Sequence, residues 1–351
     1  MIISRTPYRI SFFGGGTDYP EWYQDNNGQV LSTTIDKYIY ITCRYLPPFF
    51  EHRLRLIYSK MDFCQNSDEL KHPAAKAVLN YLGIKKDLQI NYDGDLPARS
   101  GLGSSSSFTV GLLNALSQYK SLKLNKKQLS ENAIYIEQKL IGESVGSQDQ
   151  INAAYGGLNH IKFSTNGEFH VKPIKLTKIR SLKFQKKLLL FHTGIFRTAD
   201  TVTKKYLKDL KNKRSLLFEM YEMVNEALGI IKSGSLDDLG LLLNESWQIK
   251  KNVSKNITNK NIDLIYQLAI SQGALGGKLL GAGGGGVIIF YAPEHAHKKI
   301  KSVLKKLLYI PITFENEGSQ IIYNLPQKQY VEEEKMRSKN FLKKFKELSN
   351  I

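Results

Sequence analysis

The chain predicts an α+β fold, and two observations carry that prediction. Strand-like segments dominate up to Tyr92. Amphipathic helical patterns then gather around and after a serine- and glycine-rich loop, instead of alternating evenly with strands. That segregation argues against a regular β-α-β winding. A chain of 351 residues is long enough for one large or two medium domains, and 42% hydrophobic with 23% charged residues is an ordinary globular mixture.

Ile2–Phe13 alternates loosely and predicts a strand, with Pro7 marking an edge or a bulge. Gly14-Gly15-Gly16-Thr17-Asp18-Tyr19 ends it. Three glycines there imply a strained or closely approached backbone, and Thr17 and Asp18 then offer a hydroxyl and a carboxylate to a polar ligand; a glycine turn with an Asx cap accounts for the same residues. Val30–Thr34 and Tyr38–Arg44 predict two strands around a short turn, and Leu54–Ser59 a third. His72–Leu82 has helical periodicity, and Asp87–Tyr92 predicts a strand leading to the turn at Asp93-Gly94-Asp95.

Pro97-Ala98-Arg99-Ser100-Gly101-Leu102-Gly103-Ser104-Ser105-Ser106-Ser107 follows, and Phe108, Leu112, Ala115, Leu116 and Tyr119 then recur along one helical face. A flexible polar loop thus runs into a helix N-terminus, whose unpaired N–H groups and dipole attract anions. A single capping serine would account for one hydroxyl here, and four stand in a row. No lysine accompanies the glycines, so this is not the P-loop of an NTPase.

Leu129–Ile141 predicts the next helix, with Leu129, Ala133, Ile136 and Leu140 in one apolar row and Ile134 and Ile141 in another. Glu137 lies between the rows. It either binds a metal or a partner charge, or carries its head to the edge of the stripe. In Gly142–Gly157, Asp149 sits among small polar residues, either to accept a proton from a substrate hydroxyl or to cap a helix. Leu158–Phe163 and Glu168–Ile174 predict a hairpin turned at Asn166-Gly167. Lys186–His192 predicts a strand and Ala199–Leu210 a helix, with Arg197 before it as a phosphate ligand or a plain surface arginine. Helices follow at about 215–233, 236–253 and 262–272. Lys278-Leu279-Leu280-Gly281-Ala282-Gly283-Gly284-Gly285-Gly286 holds five glycines, whose backbone something must approach closely, and strand Val287–Tyr291 comes next. Strands near Ile310–Glu315 and Gln320–Tyr323 and a charged helix Val331–Leu348 close the chain. No repeat or low-complexity linker is present, and the domain boundary falls softly near 175–185, giving lobes 1–178 and 179–351.

Composition narrows the function. Two cysteines, Cys43 and Cys64, exclude a disulfide framework and a four-cysteine zinc site and suit a reducing cytoplasm. Arg5 and Arg9 precede no long apolar run, so neither a signal peptide nor a membrane span is expected. The net charge of +18 suits nucleic acid, but the lysines are spread over many helical segments and no nucleic-acid motif accompanies them. A solvated surface that attracts small anionic substrates fits better. Glycine segments at 14–16, 101–103 and 281–286 suggest one shared phosphate site between lobes, with Glu137 and Asp149 as carboxylates for a metal and a base. That set belongs to phosphoryl transfer onto a hydroxyl.

In order and form, three motifs here resemble those of the GHMP small-molecule kinases: Arg5–Tyr19, Pro97–Ser107 and Lys278–Gly286. The resemblance implies a two-lobed α+β fold, with a left-handed β-α-β unit in the N-terminal lobe and a ferredoxin-like C-terminal lobe. It implies ATP and Mg²⁺. Gly101, Leu102, Gly103, Ser104, Ser105 and Ser106 would wrap the ATP phosphates, with Ser105 (or its neighbour Ser104) and Glu137 as Mg²⁺ ligands. Asp149 would be the base with Arg9 beside it, and Gly16, Thr17, Asp18, Tyr19, Gly283 and Gly284 would lie at the sugar. Galactokinases carry Gly-Glu-His where this chain has Gly14-Gly15-Gly16, which argues against galactose. The Gly-Gly-Gly-Thr-Asp form resembles the branch of sugar 1-kinases acting on heptose 7-phosphate and fucose, and Phe191–Arg197 and the overall length resemble the heptose 7-phosphate side of it. The implied reaction makes the 1,7-bisphosphate of D-glycero-D-manno-heptose, with a fucose or N-acetylhexosamine 1-kinase as the alternative. Such a substrate needs a second anion site, for which Arg197, Lys204, Lys205 and Arg99 are candidates. The expected partner is a small sugar phosphate, with neither nucleic acid nor membrane, and the chain is expected as a monomer or homodimer.

Overall fold

The computed structural model describes residues 1–98, 100–195, 212–254 and 256–339. Its first lobe begins with strand β1 (Ile2–Phe13), helix α1 (Pro20–Asn26) and strand β2 (Gly28–Tyr45). Strands β3 (Leu54–Ile57) and β4 (Met61–Cys64), helix α2 (Pro73–Tyr81) and strand β5 (Leu88–Gly94) follow. β3 and β5 pair in parallel, with β4 and α2 in the crossover between them. Helices α3 (Ser104–Tyr119), α4 (Lys126–Tyr135) and α5 (Gln148–Tyr155) then lead to the hairpin β6 (Leu158–Phe163) and β7 (Phe169–Pro173).

The expected pair of strands within residues 30–44 is one continuous strand. β2 bends rather than turns, because Asp36 and Lys37 are extra residues opposite the register shift at Pro7/Tyr8. Pro7 therefore marks a bulge. The length of β2 lets it pair with β1 throughout, with β6 at one end and with β5 at the other.

After helix α6 (Lys178–Lys186) the second lobe starts at β8 (Leu188–His192), so the strand expected from Lys186 begins two residues later. Helices α7 (Arg214–Ser233), α8 (Leu236–Val253) and α9 (Lys260–Ser271) precede β9 (Gly276–Leu279) and β10 (Val287–Tyr291), and α10 (His297–Val303) precedes β11 (Leu308–Ile310). The four strands pair antiparallel in the order β11-β8-β10-β9. That is the split β-α-β arrangement of a ferredoxin-like sheet.

The single strand expected over Ile310–Glu315 is two strands in two sheets. β11 closes the second sheet, and β12 (Phe314–Glu315) already pairs with β2 in the first. β13 (Gln320–Asn324) then pairs with β1, and helix α11 (Val331–Lys339) returns Glu334 to Arg53 at 2.8 Å. The first lobe is thus built from both ends of the chain, and the simple cut at 178/179 is crossed. Of the helix expected over 331–348, residues beyond 339 lie outside the described residues.

Phe184 on α6 is fully buried between the sheets. Its ring lies 5.2 Å from Phe12 (β1), 5.3 Å from Phe314 (β12) and 6.1 Å from Tyr291 (β10). It joins rings from both sheets into one core. Phe184→Ala is therefore expected to destabilise the whole protein by about 3–5 kcal/mol, through lost burial and a cavity. Denaturant unfolding should show this as one shifted transition; two separated transitions would show that the lobes do not share this core.

Candidate active site

The serine-glycine loop enters α3 through Gly101 and Gly103, both in the left-handed region at φ +80° and +76°. No side chain caps α3. Its first-turn amides have no intrahelical acceptors, so this end can receive an anion. The four serines divide the work. Ser104 and Ser105 line a cavity of about 1520 Å³. Ser106 is buried and donates to Glu137 Oε2 at 2.8 Å, and Ser107 donates to the Pro7 carbonyl at 2.9 Å. Leu102 is fully buried in the core and offers only its backbone, accepting from the Arg9 N–H at 3.0 Å.

Arg9 reaches from β1 to Asp149 in the first turn of α5. Its Nε donates to Oδ1 at 2.7 Å and its Nη2 to Oδ2 at 2.9 Å, a bidentate pair. Nη1 donates to the Gly101 carbonyl at 2.8 Å. One guanidinium thus fixes both the carboxylate and the loop. A carboxylate has lone pairs beyond the two that a forked arginine takes. Asp149 lines the cavity with its side chain 24% exposed.

Glu137 stands on a π turn, Ile136–Ile141, that continues α4. The wider turn shifts the helical register, which buries Glu137 completely and leaves Leu140 exposed instead of in the expected apolar row. Oε2 accepts from Ser106 and from Gln150 Nε2, while the buried Oε1 has no hydrogen-bond partner among the described residues. Burial pushes this carboxyl up to about 7.

At the end of β1, Gly16, Asp18 and Tyr19 line the cavity. Asp18 is buried and accepts from the Gly16 N–H and from Gln148 Nε2, each at 2.9 Å; burial raises its pKa. Thr17 does not reach the cavity as expected of a ligand contact. Its hydroxyl lies 2.8 Å from the Gly14 carbonyl and 2.9 Å from that of Gln29, so it staples the turn to β2. Lys250 on α8 and Lys278 on β9 also line the cavity, at 7% and 3% exposure. Burial lowers the Lys250 ammonium to about 8 and that of Lys278 well below its ordinary value. At another wall Tyr58, His72, Tyr92 and Phe108 form a platform, with His72 4.5 Å from Phe108 and 5.1 Å from Tyr58.

Two of the glycines of Lys278–Gly286, Gly281 and Gly286, brace the serine-glycine loop. A Cβ on Gly281 would lie 2.8 Å from Gly101 Cα, and the Val287 N–H donates to the Ser100 carbonyl at 2.9 Å. Gly283 lines the cavity, but Gly284 spends its N–H on the Ile257 carbonyl at 2.9 Å.

Two family models match the sequence. Residues 69–157 match the GHMP kinases N terminal domain and 225–310 the GHMP kinases C terminal domain. The chain belongs to the GHMP kinases. It is similar to the D-glycero-alpha-D-manno-heptose 7-phosphate kinase of Campylobacter jejuni, 29% identical over 90% of this chain and 97% of that protein. It is also similar to an L-fucokinase/L-fucose-1-P guanylyltransferase of Bacteroides fragilis, 25% identical over 92% of this chain and 38% of that longer protein. Its fold matches the crystal structure of a D-glycero-D-manno-heptose 1-phosphate kinase from Bacteroides thetaiotaomicron, with a TM-score of 0.77, 22% identity and coverage of 93% of this chain and 100% of the other. This GHMP kinase is an ATP-dependent phosphotransferase, with sugar kinases among its relatives.

The kinase's residues also fit a divalent cation. No group of three or more His, Cys, Asp or Glu gathers among the described residues, so no all-protein cage exists there. Mg²⁺ characteristically takes one or two carboxylates and fills its shell with phosphate and water. The orphaned, buried Glu137 Oε1, near the cavity serines through Ser106, suits that mode. The resemblance points to Ser105; Ser105 and Ser106 both line the cavity, and Ser106 is the one bonded to Glu137. Arg197, Arg99, Lys204 and Lys205 lie outside the described residues. The sequence motifs alone assign no role to Lys250, Gln148 or Gln150, which the structure places at the site.

Glu137 gives a pH prediction with a definite sign. Its carboxyl is raised from 4.5 to about 7 in the folded protein. The proton it keeps on folding stabilises the kinase fully below the lower value, and that gain is lost as pH rises through the upper one. The loss is on the order of 3 kcal/mol. Denaturant titrations in a metal chelator, from about pH 4.5 to 7, should show a decline that Glu137→Gln flattens. Parallel curves for the two proteins would show that Glu137 ionises normally.

Proposed function

We propose that this kinase transfers the γ-phosphoryl group of ATP to the anomeric hydroxyl of D-glycero-D-manno-heptose 7-phosphate. The product would be the 1,7-bisphosphate, on a route to nucleotide-activated heptose for surface glycans. The observation that carries the chemistry is the Arg9–Asp149 pair, tied through Gly101 to the loop that opens the uncapped α3. The heptose 7-phosphate kinase among the relatives supports the choice of sugar.

In this reading the α3 amides, with Ser104 and Ser105, hold the ATP phosphates, and the Tyr58–His72–Phe108 platform takes the adenine. Arg9 holds Asp149 at the anomeric hydroxyl, with Asp18 and Gly16 orienting the sugar. Asp149 takes the hydroxyl proton as the oxygen bonds to the γ-phosphorus. The bond from that phosphorus to the β–γ bridging oxygen breaks, and ADP leaves with its electron pair. Mg²⁺ held by Glu137 and Ser105 would supply neutralisation of phosphate charge.

A fucose 1-kinase is the second reading, since a fucokinase-containing protein is also similar over most of this chain. ADP release across heptose 7-phosphate, mannose 6-phosphate, free heptose, fucose, galactose and N-acetylhexosamines separates the two. Heptose 7-phosphate should be turned over fastest, and Asp149→Asn should lower kcat by about 10²–10⁴-fold with little change in the KM for ATP. Turnover of unphosphorylated sugars alone would overturn the sugar-phosphate reading and keep the kinase. An Asp149→Asn enzyme of near-normal kcat would remove Asp149 as the base.

A further inference from the structure

The charges at the cavity floor do not balance. Arg9 and Asp149 satisfy each other as a forked pair. Asp18 has both oxygens engaged by Gly16 and Gln148. Lys250 and Lys278 remain, both more than nine-tenths buried, and neither has a carboxylate within 4.0 Å among the described residues. Instead they donate to backbone carbonyls: Lys278 to Phe12 at 2.9 Å, and Lys250 to Gly281 at 2.7 Å and Leu279 at 3.4 Å. An ammonium carries three donors, so each has donor capacity beyond those bonds. One carboxylate, Asp18, acts on both ammonium groups, so two buried cations share a single nearby anion, and burial lowers the proton affinity of each. Nothing in the packing of an ordinary core calls for them.

We infer that Lys250 and Lys278 form a two-cation subsite that receives the phosphate group already borne by the sugar substrate; the inference rests on the sugar-phosphate reading above. A phosphate monoester carries close to two negative charges at neutral pH, and its three terminal oxygens match donors coming from two sides. The transferred phosphoryl group already has a cradle in the α3 amides and the cavity serines. Lys278 is anchored elsewhere, on the carbonyl of Phe12, at the strand end that runs into the Gly14–Gly16 turn and Asp18. That is the acceptor's wall of the cavity. The lysines come from α8 and β9, so the second lobe would read the phosphate while the first lobe supplies Asp149.

The test compares the wild-type kinase with Lys250→Met, Lys278→Met and the double variant. Each is assayed on heptose 7-phosphate and on free heptose at saturating Mg-ATP, and the KM for ATP is measured separately. Each single change should raise the KM for heptose 7-phosphate about 10- to 100-fold. The double variant should lose most of its preference for the phosphorylated sugar, with the KM for ATP held within about threefold. Lys250→Gln and Lys278→Gln, which keep a neutral donor for the carbonyls, cover the case in which a methionine variant fails to fold. Thermal shifts with heptose 7-phosphate in the absence of ATP give a second readout, and the wild-type stabilisation should vanish in the variants. Variants that keep the preference, or that lose turnover equally on both sugars while the KM for ATP rises, overturn the subsite. A wild-type enzyme inactive on every phosphorylated sugar overturns the substrate reading instead, and the subsite with it.

Discussion

The buried guanidinium of Arg9 is the interaction on which the site depends. It is only 4% exposed, so leaving any of its charge unmatched would be expensive. The match comes from two separate segments: Asp149 arrives on α5, and the Gly101 carbonyl belongs to the loop before α3, whose Leu102 carbonyl also accepts from the Arg9 backbone N–H. Arg9 itself is fixed by the β1–β2 pairing, opposite Thr34. The β1–β2 pairing therefore dictates where the carboxylate and the loop stand relative to one another. Preorganisation of this kind is worth more than any single contact, because no reorientation remains to be made when the charge moves.

The second lobe enters through backbone contact. Gly101 and Gly281 meet so closely that a Cβ on Gly101 would lie 2.6 Å from the Leu280 carbonyl, with Gly101 at φ +80° as well. No side chain other than hydrogen fits there. The loop of the first lobe is thus shaped by the glycines of the second, and Phe184 joins the two sheets behind them.

Much of this was legible in the residues. The serine-glycine loop, Asp149 and the carboxylate in an apolar stripe at Glu137 are chemically out of place in a plain helix or turn, and the structure brings them together. The strand pairings were less legible, since β2 and the 308–315 segment differ from expectation only in which partner each stretch finds, and partners are a long-range property. The π turn hides the true face of α4: the helical row predicts Leu140 inside, and the structure exposes it. Thr17 and Gly284 had the right chemistry for ligand contacts but spend it on the backbone.

Lys250 carries the same signal as Glu137. On α8 it follows Leu239, Leu243 and Trp247 along one buried helical row, so a charged residue occupies an apolar position there too. Glu137 and Lys250 are opposite in charge, and each is buried on a helix without an oppositely charged side chain against it among the described residues. A carboxylate in that state calls for a cation, and an ammonium calls for an anion. On the proposed reading, Lys250 in the cavity wall meets phosphate groups, and Glu137, buried behind the wall and bonded to Ser106, meets a divalent cation. Either one alone would leave one of the two charges uncompensated, so the charge pattern favours joint occupation over separate binding.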